Sequence, residues 1–223
     1  MSEIEQPEKD PAPAAVRAAR GVAIGCGVIV AVPLLIVLGV IVTFGAQQAT
    51  AEDYPTTAPE QAAEALTAES QELYRTTRFD LTLPPGVEDL GVSTENTLSA
   101  DYCYPDGLES LADESVDGAY SLHHSWGVPD VPKDRALPAL RRLRDRLKAD
   151  GWNITDYGRN APATEWELRA TKDDRRTSFS WRPEYGYFDG GIGTACAYDP
   201  AWKEGDFGVP GEDLTPPELR PAH

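Results

Sequence analysis

Between Gly21 and Phe44 the chain carries no charged residue, and the stretch reads GVAIGCGVIVAVPLLIVLGVIVTF. At an α-helical rise of about 1.5 Å per residue, this run of about 24 residues is roughly 36 Å long, enough to cross the hydrocarbon core of a bilayer with some tilt. Pro33 sits near its middle, where a kink is tolerated in lipid. A domain of the size left over has no interior large enough to swallow such a helix. The run therefore predicts a single transmembrane helix from Gly21 to Phe44, in contact with the lipid bilayer. Arg17 and Arg20 precede it, while Glu52 and Asp53 follow it. Because positive flanks stay on the cytoplasmic side, residues 1–20 are expected inside and the bulk of the chain outside the cell membrane.

Two processing routes compete with a retained anchor. Ala49-Thr50-Ala51 resembles a signal-peptidase site, but the apolar run exceeds the usual signal core of about 7 to 15 residues, and the site lies several residues beyond it. Cys26, in Ala23-Ile24-Gly25-Cys26, is placed too early for lipidation, since most of the apolar run follows it. A retained anchor is the expectation.

Charge narrows the function classes. The 223 residues carry 37 acidic and 20 basic side chains, a net charge of -17. Glu3, Glu5, Glu8 and Asp10 against Lys9, Arg17 and Arg20 leave the first twenty residues at -1, so -16 lies beyond the apolar run. A domain this acidic repels phosphate backbones, and nucleic acid is excluded as a partner.

Two cysteines remain beyond the run, Cys103 and Cys196. An even pair in an exported domain reads as a disulfide, because that compartment permits oxidation.

Residues 45–57 read as a polar linker and 58–200 as the domain. Pro59 can open a helix, followed by EQAAEALTAESQELYRTT, with Ala62, Leu66, Leu73 and Tyr74 roughly on one face; it either docks on the domain or stands as a solvated stalk. Thr97 to Tyr104 reads as a strand. Tyr120, Leu122, His124 and Trp126 alternate with Ser121, His123 and Ser125, the pattern of a half-buried strand. Asp134 to Asp150 reads as an amphipathic helix with an apolar stripe of Leu140, Leu143 and Leu147, a candidate cap at Asp134 and a left-handed C-terminal cap at Gly151. Four strands are expected after it, at Trp152 to Tyr157, Thr164 to Thr171, Arg175 to Arg182 and Gly191 to Tyr198. Lys172-Asp173-Asp174 closes a hairpin between the second and third. Residues 201–223, rich in Pro, Gly and acids, read as a disordered tail. This order of elements predicts an α+β fold: an N-terminal transmembrane helix, then a two-layer domain with helix packed on one face of an antiparallel sheet.

Few residues point to chemistry. His123-His124 looks like a metal pair, but adjacent strand residues face opposite ways and no third ligand lies at a motif spacing. Asp113-x-Ser115-x-Asp117-Gly118 matches the first half of a calcium loop, yet the twelfth position is His124. Glu165 and Glu167 share a strand face near Asp173-Asp174, and paired carboxylates can hydrolyse glycosides when held about 5 to 10 Å apart in a cleft. On an acidic domain they read first as solvated charges. Asn153-Ile154-Thr155 fits a glycosylation pattern, and Trp202, outside any strand, is the tryptophan expected to make a surface contact. No nucleophile elbow, Walker loop or dinucleotide fingerprint is present, and no catalytic residue, cofactor or metal is expected.

The helix ending in Gly151-Trp152, the short strands after it and the late cysteine resemble uncharacterised actinobacterial single-pass membrane-anchored proteins with a small exported α+β domain, over Lys133 to Pro200. The preference for arginine over lysine resembles GC-rich actinobacterial composition too. The resemblance implies no activity. The sequence points to a non-enzymatic binding or interaction module of the cell envelope, with an envelope protein or wall component as partner. The alternatives are a cell-wall or secreted-substrate hydrolase using paired carboxylates, and a regulatory partner of another membrane protein.

Overall fold

Period-two alternation buries one face along the central strands, and the strands of the second half pair into a sheet whose apolar face two helices cover. The computed structural model describes residues 53–105, 114–159 and 165–222. Its elements are α1 (Pro59–Thr77), β1 (Gly86–Val87), β2 (Glu95–Tyr102), β3 (Ala119–Val128), α2 (Lys133–Ala149), β4 (Asn153–Arg159), β5 (Trp166–Lys172), β6 (Arg175–Arg182), β7 (Tyr187–Gly193) and β8 (Ala197–Tyr198). The expected span Gly21–Phe44, the inner tail, Cys26 and Ala49-Thr50-Ala51 lie outside the described residues. Among the described residues no helix is long and apolar enough to cross a membrane.

The fold is α+β. The sheet runs β1-β2-β3-β7-β6-β5-β4, with every pair antiparallel. From the central β3 the chain crosses through α2 to the far edge, then returns by a meander until β7 pairs with β3. β8 takes up the same side of β3 beyond the end of β7.

Both helices form for the reasons their patterns give. The buried face of α1 is Ala63, Leu66, Thr67, Ser70, Leu73, Tyr74 and Thr77, so it docks on the sheet and is no solvated stalk. Its last carbonyls lack donors of their own, and α2 supplies them. Arg142 donates to the carbonyls of Thr76 and Thr77, and Arg135 donates to that of Arg78 at 2.9 Å. Cations there also suit the negative end of the helix dipole. The cap of α2 is Pro132, without a side-chain bond; Asp134 lies in the first turn instead of capping it. Past its end, the Gly151 amide donates to Lys148 O and the Trp152 amide to Leu147 O, with Gly151 at φ +83°. This paired closure requires a left-handed residue, which glycine supplies without strain.

The core is read off one register row: Asn96, Trp126, Gly190, Phe179, Leu168 and Tyr157, taken from β2 to β4. Trp126 is fully buried there. It meets Tyr74 edge-on at 5.1 Å, Phe179 at 5.9 Å and Phe188 stacked at 6.0 Å. A Cβ on Gly190 would lie 2.5 Å from Phe179 Cδ1 and 2.8 Å from Trp126 Cζ2, so the row closes only because this residue has no side chain.

Three expectations are corrected. The last strand, expected from Gly191 to Tyr198, starts at Tyr187 and stops at Gly193, with β8 as a separate short piece. Asp189, Gly190 and Gly191 lie inside this strand, where the glycines make room for rings from neighbouring strands. Residues 201–222 are not a disordered tail. Leu219 is fully buried, it exchanges backbone bonds with Leu83, and Gln71 holds the Arg220 backbone through both amide atoms. The polar linker is also shorter than expected, because Pro55 and Thr57 bond the backbone of Tyr198.

Cys103 and Cys196 are joined, with Cα atoms 6.0 Å apart and a sequence separation of 93. The bridge ties the end of β2 to the start of β8, on either side of β3.

Replacing Gly190 by alanine is expected to destabilise the domain by about 3 kcal/mol, as overpacking of a filled core does, measured by chemical denaturation. In the same assay Cys103→Ala with Cys196→Ala is expected to lose about 4 to 5 kcal/mol, the chain-entropy value for a loop this long. Equal midpoints for the oxidised and cysteine-free proteins would show that the bridge contributes nothing.

Candidate binding face

Residues paired directly across the sheet share a face, so the rows between the core rows define its other side. One runs Thr97, Ser125, Gly191, Ser178, Arg169 and Asp156 from β2 to β4. The next runs Glu95, Gly127, Asp189, Ser180, Glu167 and Gly158. Among the described residues, neither helix covers this side. Its side chains are hydroxyls, arginines, carboxylates and glycines, with none of the aliphatic packing of the core side.

The glycines give the face its relief. Tyr187 reaches across β3 where Gly127 leaves room; a Cβ on Gly127 would meet its hydroxyl at 1.8 Å. His123 lies across β7 in the same way, with its Nε2 2.7 Å from where a Gly191 Cβ would sit. Around Tyr187 the face is closed by charge pairs. Arg182 stands over the Tyr187 ring at 5.2 Å and donates to Asp189 at 2.8 Å, and Asp189 also accepts from Ser180. Toward β8 the face opens into a cleft of about 1330 Å³, lined by Asp101, Ser121, His123, Arg169, Arg176 and Ser178 among others.

The two histidines separate as strand geometry requires. His124 is fully buried on the helix side, where Nε2 lies 2.8 Å from Asn96 Oδ1. Asn96 donates its amide hydrogens to Leu83 O and Pro217 O, both at 2.9 Å, so its oxygen faces His124 and the ring carries its proton on Nε2. Nδ1 accepts no hydrogen bond among the described residues. Burial, with a smaller push from His123, lowers the His124 pKa to about 4. His123 is lowered too, by burial working against Asp101 and Glu95. They point to opposite faces of the sheet, and among the described residues no group of three possible metal ligands comes together.

The other candidates have structural work. Glu167 is buried and paired with Arg169, and Glu165 lies 3.9 Å from Arg182, so both are held by arginines. Asp173 and Asp174 form the two-residue turn between β5 and β6, both at positive φ. Asp113 lies outside the described residues. Asp117 accepts a hydrogen bond from Trp202 Nε1 at 2.9 Å, and the Trp202 ring covers Gly118. Trp202 is thus half-buried against the domain and is not a free surface platform. Asn153-Ile154-Thr155 opens the edge strand β4. The tie of His124 to Asn96 and the carbonyls of Leu83 and Pro217 left no trace in sequence, because its members lie in four distant segments.

No family model matches the sequence, and no curated protein is similar to it. Among solved structures, the chain is similar to the crystal structure of LppA, a Mycobacterium tuberculosis protein assigned as a lipoprotein, with 10% identity and a TM-score of 0.34, over 68% of this chain and 86% of that one. Likeness at this level carries no functional information.

The depressed histidine sets a pH dependence with a definite sign. Above about pH 6.5 His124 is neutral folded or unfolded; between about 6.5 and 4 the unfolded chain binds the proton first. Stability is therefore expected to fall across that window, by about 3 kcal/mol from this group. His124→Gln, which can still donate to Asn96 but does not titrate, is expected to flatten that part of the curve in denaturation measured at pH 7 and pH 4.5. An unchanged slope would assign the loss to other groups.

Proposed function

We propose that the chain is an exported, membrane-anchored, non-enzymatic module of the cell envelope, and that the uncovered side of its sheet is the binding surface. The observation that supports this is the wide cleft on that side, bordered by side chains that offer hydrogen bonds, Asp101, Ser121, His123 and Ser178 among them. Glu165, Glu167 and Asp189 each face an arginine, an arrangement that favours holding shape over proton transfer. The disulfide supports an oxidising compartment. The uncharged run Gly21–Phe44 supports the anchor, with the N-terminus cytoplasmic and the domain extracellular. A surface this polar suits an envelope protein or a wall component, and the charge of -17 disfavours nucleic acid.

The test is photocrosslinking with the full chain in its own membrane. A photoreactive residue is placed at Ser99 or Ser178, both exposed on the polar side, and at Asp145 on the outer surface of α2 as a control. A defined envelope adduct is expected from the first two positions only. Adducts of the same pattern from all three, or none from a folded and oxidised protein, would remove the reading. Release of soluble fragments from wall material by the purified chain would move it to the hydrolase class.

A further inference from the structure

The outer edge of β4 closes the sheet on the side away from β1. Over Asn153–Arg159 it offers seven residues of backbone whose outward groups pair with no strand among the described residues. The opposite edge, β1, is only two residues long. Exposed edges of this kind are a template for another strand. Beside β4 runs a groove of about 530 Å³, walled by Arg144 and Lys148 of α2 on one side and Trp152 to Tyr157 on the other.

The charge of that wall runs against the rest of the molecule. The sequence of α2, KDRALPALRRLRDRLKA, holds seven basic residues against two acidic ones, in a chain of net charge -17. Several of the seven are committed inside the domain: Arg135 and Arg142 to the end of α1, and Arg146 to Asp150. Arg144 is held over the Tyr157 ring at 4.5 Å while pairing with the exposed Asp145. Lys148 is exposed with no partner among the described residues. Arg144 and Lys148 thus stand next to the open strand edge, one of them already oriented by an aromatic ring of that strand.

We infer that the β4 edge and the Arg144–Lys148 groove form a docking site for an extended acidic segment of a partner protein, which adds a strand to the sheet. Backbone groups of β4 supply the pairing; Lys148 receives one carboxylate of the incoming strand, and Arg144 receives the next by exchanging its exposed pair with Asp145. A second copy of this chain is the poorer occupant, because β4 against β4 would bring two basic α2 helices together. The bulge between Ile154 and Asp156 limits regular pairing to the Asp156–Arg159 half, so the added strand is short and the contact reversible. This surface is separate from the polar side of the sheet, and its occupation does not depend on that side binding anything.

The test uses the full chain and, as probe, a short fluorescent peptide of alternating Glu and Val, titrated at about 0.1 M salt. Binding is expected, weaker by at least about tenfold for the Arg144→Glu, Lys148→Glu double variant. It is expected to weaken as much for the same peptide N-methylated at alternate residues, which keeps its charge but loses strand donors. Amide exchange across Asn153–Arg159 is expected to slow when the unmodified probe binds. An N-methylated probe that binds equally well overturns strand addition, since charge alone then suffices. So does tighter binding of polyphosphate or phosphatidylglycerol vesicles than of the peptide, or no binding of the peptide at all. The N-methylated comparison is made on the unaltered protein, so it stands even if the double variant is damaged.

Discussion

Trp126 lies flat against a strand that has no side chain at Gly190, and the domain is arranged around that contact. The indole meets rings from α1, β6 and β7, so the helix layer and the sheet are registered against one residue. Because both sides of the indole are in contact, neither β7 nor α1 can shift without opening a void, and interiors tolerate such voids poorly. The non-local pairing of β3 with β7, which closes the long excursion through α2 and the meander, depends on the same fit.

A sheet that the two described helices cover on one side must solve two problems at once. On the helix side, polar groups need partners, and Asn96 meets this by bonding His124 and two carbonyls from segments far apart in sequence. On the uncovered side, glycines at 127 and 191 let Tyr187 and His123 lie down on neighbouring strands, so a polar surface acquires relief without an aliphatic side chain. Adjacent residues His123 and His124 thus belong to different environments, one bordering the cleft and one sealed in the core.

How much of this can be read in the residues follows from how local each cause is. The alternation through Tyr120 to Trp126, the leucine stripe of α2 and the Gly151 cap are short-range patterns, and they foretell β3, α2 and its ending. The cysteine pair was legible because an exported domain with two thiols leaves one sensible pairing. The start of β7 was not, since nothing local shows that Gly190 and Gly191 make room for Trp126, Phe179 and His123. The C-terminal stretch misled for a similar reason. Its composition is that of a loose tail, but Leu219 finds a slot beside Leu83 that no local signal announces. The polar cleft assembles residues from several elements, and spacing along the chain says nothing of it; the basic wall is an i, i+4 pair of α2, but that β4 lies open beside it is not local information.

The bridge between Cys103 and Cys196 also decides how the domain would respond to a pull. Tension on the chain ahead of Asp53 enters through Pro55 to Thr57, whose backbone is bonded to Tyr198, two positions from Cys196. From there it passes through sulfur to the end of β2 and spreads over the full length of the β2–β3 ladder. The stretch ahead of Cys103, with α1, β1 and β2, lies outside the covalent loop and can still be drawn out, but the chain between the two cysteines cannot while the link holds. A pull is therefore met in two stages, by the packing of α1 and the β2–β3 ladder first and by the covalent link after them.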